Sequence, residues 1–350
     1  MELVAVAPTA PDAAVLARAA ARLRAGGLVA FPTETVYGLG AHALDADAVR
    51  RIYAAKGRPA TNPVIVHVAD ADAARAVVAA WPPLAARLAA AFWPGPLTLV
   101  LPRAPHVPDV VTAGLDRVGV RVPAHPVALA LLRAAALPVA APSANASDRV
   151  SPTTAAHVEA SLGPAADVLV LDGGESAVGI ESTVVDASGD VPVLLRPGGI
   201  DRDAIAAACG VAPRLHPAVH ATLARGDAPP EDDDDAAPRA APGMVRRHYA
   251  PRAKVLLVAA GDVGAMTAAL ADARAAEGDA VGVLAIAAIP LDAGPVAVEA
   301  MPDDPAAYAR RLYAVLHAMD ARGVRRLLVE RVPAGAAWDG VRDRLARASA

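Results

Sequence analysis

Aromatic residues and cysteine are scarce in this chain of 350 residues. Phenylalanine, tryptophan and tyrosine together make up 3% of the sequence, and Cys209 is the single cysteine. One cysteine excludes an internal disulfide, and no group of cysteines and histidines has the spacing of a zinc site. Because Cys209 ends an alanine-rich stretch that is typical of a helix, we interpret it as a small core residue.

Long apolar runs and a strong charge excess are also lacking. No uninterrupted apolar stretch reaches the roughly 18 residues of a membrane helix, and the start, MELVAVAPTAPD, lacks the basic and apolar regions of a signal peptide. We therefore expect a cytoplasmic protein that makes no membrane contact. The net charge is −4, and basic residues outnumber acidic ones in none of the three parts of the chain defined below. Any anion-binding site must therefore be local.

Three common motifs of nucleotide-binding and hydrolytic enzymes are absent from the sequence. The P-loop pattern G-x-x-x-x-G-K-S/T does not occur, and no G-x-G-x-x-G fingerprint follows the first strand expected in the C-terminal part. No G-x-S-x-G elbow surrounds Ser143, which argues against that serine as a nucleophile. A nucleotide bound by this chain would therefore be held mainly by side chains.

Residues 1–208 alternate short β-branched runs with alanine-rich stretches, which is the pattern of an α/β sheet covered by helices. Helices are expected at residues 11–25, 45–55, 72–80, 83–91, 126–135, 153–162 and 201–209, with Asp45 as an N-cap. Strands are expected at residues 28–31, 64–68, 97–101, 119–122, 139–141, 168–171, 183–186 and 191–195.

Residues 209–253 depart from this pattern. They are rich in proline and alanine and contain the run EDDDD at 231–235. Such a composition cannot bury enough apolar surface to offset the entropy of ordering, so we predict a flexible linker that acts as a lid. A metal site in the acidic run is the alternative, but contiguous carboxylates repel one another.

Residues 254–350 again show alternating strands and helices. KVLLVAA, AVGVLAIAAI and RRLLVERV read as strands, and residues 263–276 and 305–322 read as helices between them. This order predicts a small parallel, Rossmann-like α/β domain.

Lys56 is one of only two lysines among 33 basic residues, the other being Lys254. It lies two residues before Arg58, where a predicted helix breaks at Gly57, so both cations can point into one cleft. The amide of Asn62 follows before the next strand. Each charge-assisted contact to a phosphate contributes about 1.5–3 kcal/mol, so this pair is a candidate binding site for a triphosphate. A helix C-terminus that simply favours positive charge is the alternative.

Small polar residues follow two other predicted strands. Ser143 and Asn145 come directly after the strand LPVAA, at an end where open α/β sheets bind ligands. The same residues are also typical of an ordinary turn. Thr33, Glu34 and Thr35 follow the strand at 28–31 and offer two hydroxyls and a carboxylate.

Two charged or titratable residues lie inside apolar strands. His67 alternates with apolar neighbours in VIVHV, where a buried core histidine is the commoner interpretation. Arg121 lies in GVRVP, where an uncompensated charge would be costly. A buried anionic partner, such as a ligand carboxylate, would offset that cost.

Seven ordered motifs together resemble one family: PTETVYGLGAHA, AAKGRPATNPVIVHV, FWPGPLTLVL, VTAGLDRVGVRVPAHP, AAPSANAS, GIESTVVD and LLRPGGI. This is the threonylcarbamoyl-AMP synthase family, whose YrdC-like catalytic domain resembles residues 8–208. The segment PGMVRRHYAP before a small α/β domain is similar to the long two-domain form. The resemblance implies a twisted, open, mixed α/β sheet with a concave cleft.

The reaction that this resemblance implies joins L-threonine, bicarbonate and ATP into L-threonylcarbamoyladenylate and pyrophosphate. It is a nucleotidyltransferase reaction, with Mg²⁺ held mainly through the ATP phosphates and no protein metal ligand. The product supplies the threonylcarbamoyl group that downstream transferase machinery places on tRNA, and a direct tRNA contact is an open possibility.

The resemblance also implies site residues. Lys56 and Arg58 are the implied catalytic, phosphate-gripping pair, and Arg121 is implied to take the carboxylate of threonine. The implied ATP-binding residues are Lys56, Arg58, Asn62, Ser143, Asn145, Ser151, Arg196 and Tyr249. The implied threonine-binding residues are Thr33, Thr35, His67, Arg121 and Ser182.

One position departs from the family pattern. The family commonly has a glycine soon after its Ser-x-Asn, where this chain has Asp148. Aspartate tolerates unusual backbone angles better than most residues, but it adds negative charge near the expected phosphates.

Two other functions remain in competition. A non-catalytic RNA-binding or translation-associated protein could use the same cleft, and it would bind RNA in a salt-sensitive way without ATP turnover. A related enzyme could transfer a carbamoyl group to a different acceptor.

Overall fold

The computed structural model describes residues 1–227, 238–286 and 296–350. The acidic run at 231–235 lies outside the described residues, as does the end of the segment AVGVLAIAAI. Within the described ranges, no helix is both long and apolar enough to cross a bilayer.

Eleven strands of the N-terminal part form one sheet. They are β1 (Glu2–Ala5), β2 (Leu28–Phe31), β3 (Gly38–His42), β4 (Val66–His67), β5 (Leu97–Pro102), β6 (Arg117–Arg121), β7 (Val139–Ala140), β8 (Val168–Asp172), β9 (Thr183–Asp186), β10 (Val193–Arg196) and β11 (Arg214–Leu215). The order across the sheet is β1-β8-β2-β3-β7-β4-β6-β5-β9-β10-β11. Parallel pairs such as β2–β8 alternate with antiparallel pairs such as β2–β3. The predicted mixed α/β sheet is therefore confirmed.

Short carboxylate side chains begin many of the helices that cover this sheet. Asp45 Oδ1 accepts hydrogen bonds from the first-turn amides of Asp47 and Ala48 at 2.9 and 3.2 Å, which confirms the predicted N-cap. Gly57 ends that helix with φ +61°, so Lys56 is its last residue. The helices are α1 (Ala13–Arg24), α2 (Ala46–Lys56), α3 (Ala71–Arg75), α4 (Pro83–Phe92), α5 (Asp109–Thr112), α6 (Pro126–Ala135), α7 (Ala155–Leu162), α8 (Arg202–Cys209) and α9 (Pro217–Arg225).

The sheet has an apolar core on each face. In β2, Leu28 and Ala30 pack in one core, whereas Val29 and Phe31 pack in the other. This division follows from the two-residue period of a strand, which turns successive side chains to opposite faces. Central strands buried on both faces explain why their sequences are continuous apolar runs.

The C-terminal part contains a second, smaller sheet of four parallel strands. These are β12 (Lys254–Val258), β13 (Val281–Ala285), β14 (Ala297–Ala300) and β15 (Arg326–Glu330), in the order β12-β15-β13-β14. Each neighbouring pair is parallel, as predicted. The helices α10 (Val263–Glu277), α11 (Pro305–Ala321) and α12 (Asp339–Ala348) accompany it, the last preceded by a 3₁₀ turn at Ala336–Trp338.

Several details of the predicted pattern need correction. Residues 38–42, for which no strand was predicted, form β3, where Gly40 allows close pairing because a Cβ there would lie 2.8 Å from Phe31 Cε1 of β2. Sequence patterns did not indicate β1, β14, α5 or α12. The strand expected at 64–68 is reduced to β4.

The prediction that residues 209–253 lack regular structure is wrong before residue 227. β11 and α9 lie there, with Pro217 in the first turn of α9 and the His216 ring accepting from the Ala218 amide. Val219 and Leu223 of α9 are buried in the core beneath the main sheet. Two apolar residues one helical turn apart are therefore sufficient to order an alanine-rich stretch here.

Candidate active site

A cleft lies where strand ends meet the segment that enters the C-terminal domain. His67 and Arg121 are the last residues of the parallel neighbours β4 and β6 and are paired directly. Gly38 of β3 forms a bridge with Ser143, and Arg196 ends β10. Nine predicted site residues line the cleft: Thr33, Thr35, Arg58, His67, Arg121, Ser143, Ser182, Arg196 and Tyr249.

Four predicted site residues do not line the cleft but support the residues that do. They are Lys56, Asn62, Asn145 and Ser151, and all four are buried. Two titratable residues that were not predicted as site residues also line the cleft, Glu181 and His248. Glu181 lies in the motif GIESTVVD and His248 in RRHYAP. Each could have been identified in the sequence as the residue directly before a predicted site residue, Ser182 or Tyr249.

Arg121 has a buried anionic partner within the chain. Its Nη2 lies 2.7 Å from Glu34 Oε1, and the Arg121 and Glu34 side chains are 4% and 11% exposed. Arg121 Nη1 donates to Thr35 Oγ1 at 3.0 Å, and Nε donates to the Gly95 carbonyl at 3.2 Å. The predicted buried anionic partner of Arg121 is therefore present, and it is Glu34 of the chain itself.

The ion pair between Arg121 and Glu34 is not aligned as a hydrogen bond. Among the described residues, Arg121 Nη2 and both carboxylate oxygens of Glu34 have no hydrogen-bond partner. Buried polar atoms without partners are rare because each one costs free energy. Arg121 lines the cleft and Glu34 does not, so Arg121 is the member of the pair that a ligand in the cleft can reach.

His67 is held neutral beside Arg121. Burial, together with the Arg121 charge, lowers the pKa of His67 to about 3. Its Nδ1 lies 3.3 Å from the Ile65 carbonyl, and in the tautomer with a proton on Nδ1 the other ring nitrogen is free to accept. The interpretation of His67 as a core residue is thus compatible with a binding role.

Ser182 and Arg196 form a second polar group that lines the cleft. Arg196 Nη2 donates to the Ser182 carbonyl and hydroxyl at 2.9 and 3.1 Å. The Ser182 hydroxyl also lies 2.8 Å from Thr98 Oγ1. Arg196 Nη1 donates to the Pro242 carbonyl at 3.0 Å, which ties the incoming segment to the sheet.

Lys56 shapes the segment that follows β7. Its ammonium donates to the Ser143 carbonyl at 2.5 Å and to the Asn145 carbonyl. Complete burial and the nearby Arg58 charge lower the pKa of Lys56 well below its usual value. Lys56 therefore faces the back of the Ser143–Asn145 turn, whereas Arg58 is the member of the pair that lines the cleft.

Arg58 is fixed by main-chain and amide oxygens. Its Nη2 donates to Asn62 Oδ1 and to the Pro63 carbonyl at 2.7 and 2.6 Å, and Nε donates to the Asn62 carbonyl at 2.9 Å. Asn62 is therefore the residue that orients the guanidinium. A prearranged cation of this kind binds an anion without losing further side-chain entropy.

Tyr249 closes the cleft on the side of the C-terminal domain. It has φ +59° and a buried hydroxyl without a hydrogen-bond partner in the described ranges. Its ring stacks on His248 at 4.0 Å. Asp148 has φ +64° and lies 3.5 Å from His248 Nδ1, and its carbonyl accepts from the Ala250 amide at 3.0 Å. The aspartate in the expected glycine position therefore adopts the left-handed backbone and holds the Tyr249 segment.

The fold and the cleft define a two-domain α/β protein whose cleft is lined by three arginines and by residues of the segment that enters the C-terminal domain. Residues 21–198 match the Sua5/YciO/YrdC family model, described as telomere recombination. Residues 200–350 match the model of the threonylcarbamoyl-AMP synthase C-terminal domain. The chain belongs to the threonylcarbamoyl-AMP synthase family.

Curated relatives support this assignment over most of the chain. Threonylcarbamoyl-AMP synthase of Pyrococcus abyssi is 44% identical over 333 residues, which cover 95% of this chain and 93% of the relative. The Bacillus subtilis protein of the same name is 47% identical over 244 residues, which cover 69% of this chain and 66% of the relative.

Two solved structures share the whole architecture. The crystal structure of Pyrococcus abyssi Sua5 complexed with L-threonine has a TM-score of 0.89 at 41% identity, covering 100% of this chain and 98% of that chain. A structure of the same protein with an adjacent histidine and tyrosine both replaced by alanine has a TM-score of 0.88 at 41% identity, covering 100% and 96%. The only adjacent His-Tyr pair of this sequence is His248–Tyr249.

Proposed function

We propose that this chain forms L-threonylcarbamoyladenylate and pyrophosphate from L-threonine, bicarbonate and ATP, as a nucleotidyltransferase. The observation that carries the proposal is one cleft that joins two kinds of site. A small polar corner at Arg121, His67 and Ser182 suits an amino acid, and the guanidinium groups of Arg58 and Arg196 suit phosphates. Membership of the family adds the identity of the substrates. The product would supply the threonylcarbamoyl group to tRNA-modifying transferase machinery in the cytoplasm.

The threonine corner suits a zwitterion with a hydroxyl group. The carboxylate of threonine would pair with Arg121, whose Nη2 has no aligned acceptor in the described residues. The oxygens of Glu34, equally without donors, lie beside it. Thr33 and Thr35, joined by a 2.8 Å contact between their hydroxyls, would hold the backbone of the amino acid. Neutral His67 would accept a hydrogen bond from the amine or hydroxyl of threonine.

The chemistry needs positioning more than it needs a protein nucleophile. The neutral amine of threonine attacks the carbon of carbon dioxide, a C=O π pair moves onto oxygen, and the nitrogen releases a proton to solvent, which leaves a carbamate. With bicarbonate as the source, the same C–N bond forms and water leaves. A carbamate oxygen then attacks the α-phosphorus of ATP, and pyrophosphate leaves with the electrons of the broken P–O bond. Both reactants are anionic, so Arg58 and Arg196 cancel their repulsion. Ser143 orients the phosphates, and Asn145 supports the turn that carries it.

Mg²⁺ would enter with the nucleotide. Glu181, the carboxylate that lines the cleft, already accepts from Ser151, Tyr313 and Arg344. Among the described residues no group of three or more histidine, cysteine, aspartate or glutamate side chains could hold a metal. We therefore propose that the ion is held through the ATP phosphates and water, where it neutralises phosphate charge.

Tyr249 would keep water away from the labile mixed anhydride. Substitution of Gly243 would test this role, because a Cβ added there would clash with the Tyr249 hydroxyl. We expect Gly243→Ala to displace the ring and to lower the yield of adenylate per pyrophosphate at least about fivefold. The measurement is the ratio of the two products in one reaction.

Gly261→Ala is the matched control for Gly243→Ala. Both glycines have positive φ, +81° and +69°, so both variants carry the same backbone strain of about 1 kcal/mol. A Cβ at Gly261 meets nothing within 4 Å. An unchanged product ratio in Gly243→Ala would remove Tyr249 from the closing role.

Pyrophosphate release with amino acids supplied one at a time tests the function. We expect release from ATP only when L-threonine and bicarbonate are both present. Release that does not depend on threonine would favour a carbamoyl-transferring enzyme with another acceptor. Salt-sensitive RNA binding without any pyrophosphate release would favour the non-catalytic alternative.

A further inference from the structure

Glu181 joins the two domains at the floor of the cleft. Its carboxylate accepts from the Ser151 hydroxyl at 2.5 Å within the N-terminal domain. From the C-terminal domain it accepts the Tyr313 hydroxyl at 3.0 Å and Arg344 Nε at 2.7 Å. All four side chains are buried. A cleft residue is therefore held mainly by two helices of the other domain, α11 and α12.

Arg344 makes two further contacts that reach the site. Its Nη1 donates to the carbonyl of Pro197, the residue after Arg196, at 2.9 Å. Its guanidinium carbon lies 4.8 Å from the centre of the Tyr249 ring. One side chain from the last helix thus touches the neighbours of Ser182 and Arg196 as well as the closing tyrosine.

The two domains pack closely around these contacts. A Cβ on Gly179 would lie 2.4 Å from the Cα of Arg310 in α11. A Cβ on Gly340 of α12 would lie 2.8 Å from Ile180 Cδ1 and 3.0 Å from the Gly198 carbonyl. Ile180 itself belongs to the apolar core of the C-terminal domain. Residues 179–182 are therefore in close contact with both α11 and α12.

We propose that Tyr313 and Arg344 are positioning residues for the synthase reaction, through which the C-terminal domain fixes Glu181 and the Tyr249 segment. The proposal rests on the function proposed above. It gives the C-terminal domain a direct part in assembling the cleft. Neither side chain lines the cleft, so each acts through Glu181, the Pro197 carbonyl or Tyr249.

Tyr313→Phe is the mildest test, because it removes only the hydroxyl that Glu181 accepts. Tyr308→Phe is its matched control: Tyr308 is also buried in α11, and its ring contacts Trp338 instead. We expect Tyr313→Phe to lower kcat/KM for pyrophosphate release about tenfold, with Tyr308→Phe within twofold of wild type. Thermal unfolding of both variants would show whether each is folded.

Arg344→Gln adds a readout that a merely structural role would not move. Burial alone would raise the pKa of Glu181, but the charges of Arg344 and Arg196 and the Ser151 hydrogen bond hold it at about 2. In wild type, Glu181 is therefore ionised throughout the range above about pH 4. Without the Arg344 charge the pKa rises, so we expect activity to fall as pH decreases through this higher value. The acid limb should move up by about one pH unit or more, and Arg344→Lys should restore part of the shift.

Hydrogen exchange of residues 248–250 gives a readout that needs no activity. The His248 amide donates to the Arg347 carbonyl and the Ala250 amide to the Asp148 carbonyl. We expect these amides to exchange about tenfold faster in Arg344→Gln than in wild type. Folded Tyr313→Phe and Arg344→Gln variants with wild-type kcat/KM, acid limb and exchange would overturn the positioning role. A wild-type protein without threonine-dependent pyrophosphate release would instead refute the proposed function. The exchange measurement would still test whether Arg344 holds the Tyr249 segment in place.

Discussion

Replacing Lys56 with alanine is expected to lower kcat/KM for pyrophosphate release about a hundredfold or more. This loss corresponds to about 3 kcal/mol of transition-state stabilisation. The reason is the Ser143–Asn145 turn, whose two carbonyls accept from the Lys56 ammonium. Without it, the buried Asn145 carbonyl is left unsatisfied, the half-buried Ser143 carbonyl loses its donor, and the turn that would orient the phosphates loses its support.

Lys254→Ala is the control for Lys56→Ala, since it removes the only other lysine, which lies exposed at the start of β12. Its activity should stay within twofold of wild type. Kinetics at saturating threonine and varied ATP would show whether the loss in Lys56→Ala falls on the nucleotide. Activity of Lys56→Ala within threefold of wild type would contradict the role of Lys56.

Replacing Arg121 with methionine is expected to raise KM for threonine about a hundredfold while KM for ATP changes little. Arg121 is the cation that we propose binds the threonine carboxylate, and methionine keeps the unbranched apolar stem of the side chain without the charge. Removing one partner of a buried ion pair also destabilises the fold by about 3–5 kcal/mol, because Glu34 is then left alone. Steady-state kinetics and denaturant unfolding measure the two effects separately.

Arg117→Met is the matched control, because Arg117 lies on the same strand and is 42% exposed in its pair with Asp186. We expect it to cost less than about 1 kcal/mol and to leave KM for threonine unchanged. The double variant Glu34→Gln/Arg121→Met should recover stability but not threonine binding. Recovery of both would show that Arg121 serves only to neutralise Glu34.

Local patterns predicted the scaffold well where the physical cause was local. Asp45 at the start of α2 and Gly57 at its end are capping signals that act within a few residues. Continuous apolar runs predicted β2, β5 and β9 at their observed positions. β3 was missed because its sequence GLGAH is rich in glycine, and its pairing with β2 and β7 is set by the sheet rather than by propensity.

The site was predicted as a set of residues but not as a set of contacts. The motifs identified nine residues that line the cleft, yet they could not show that Lys56 faces the back of a turn. The compensation of Arg121 by Glu34 depends on two segments far apart in the chain. Glu181 accepts hydrogen bonds from two helices that lie more than a hundred residues away in the chain, and no local sequence pattern could predict these contacts.

Incorporation of isotopically labelled bicarbonate tests the central claim most directly, namely that one cleft brings a threonine carbamate and ATP together. The full chain is incubated with labelled bicarbonate, L-threonine, ATP and Mg²⁺, and the products are separated by mass. We predict one labelled product that contains both threonine and AMP, formed in a one-to-one ratio with pyrophosphate and lost when L-threonine is omitted. Pyrophosphate formed without a labelled threonine adduct would contradict the account.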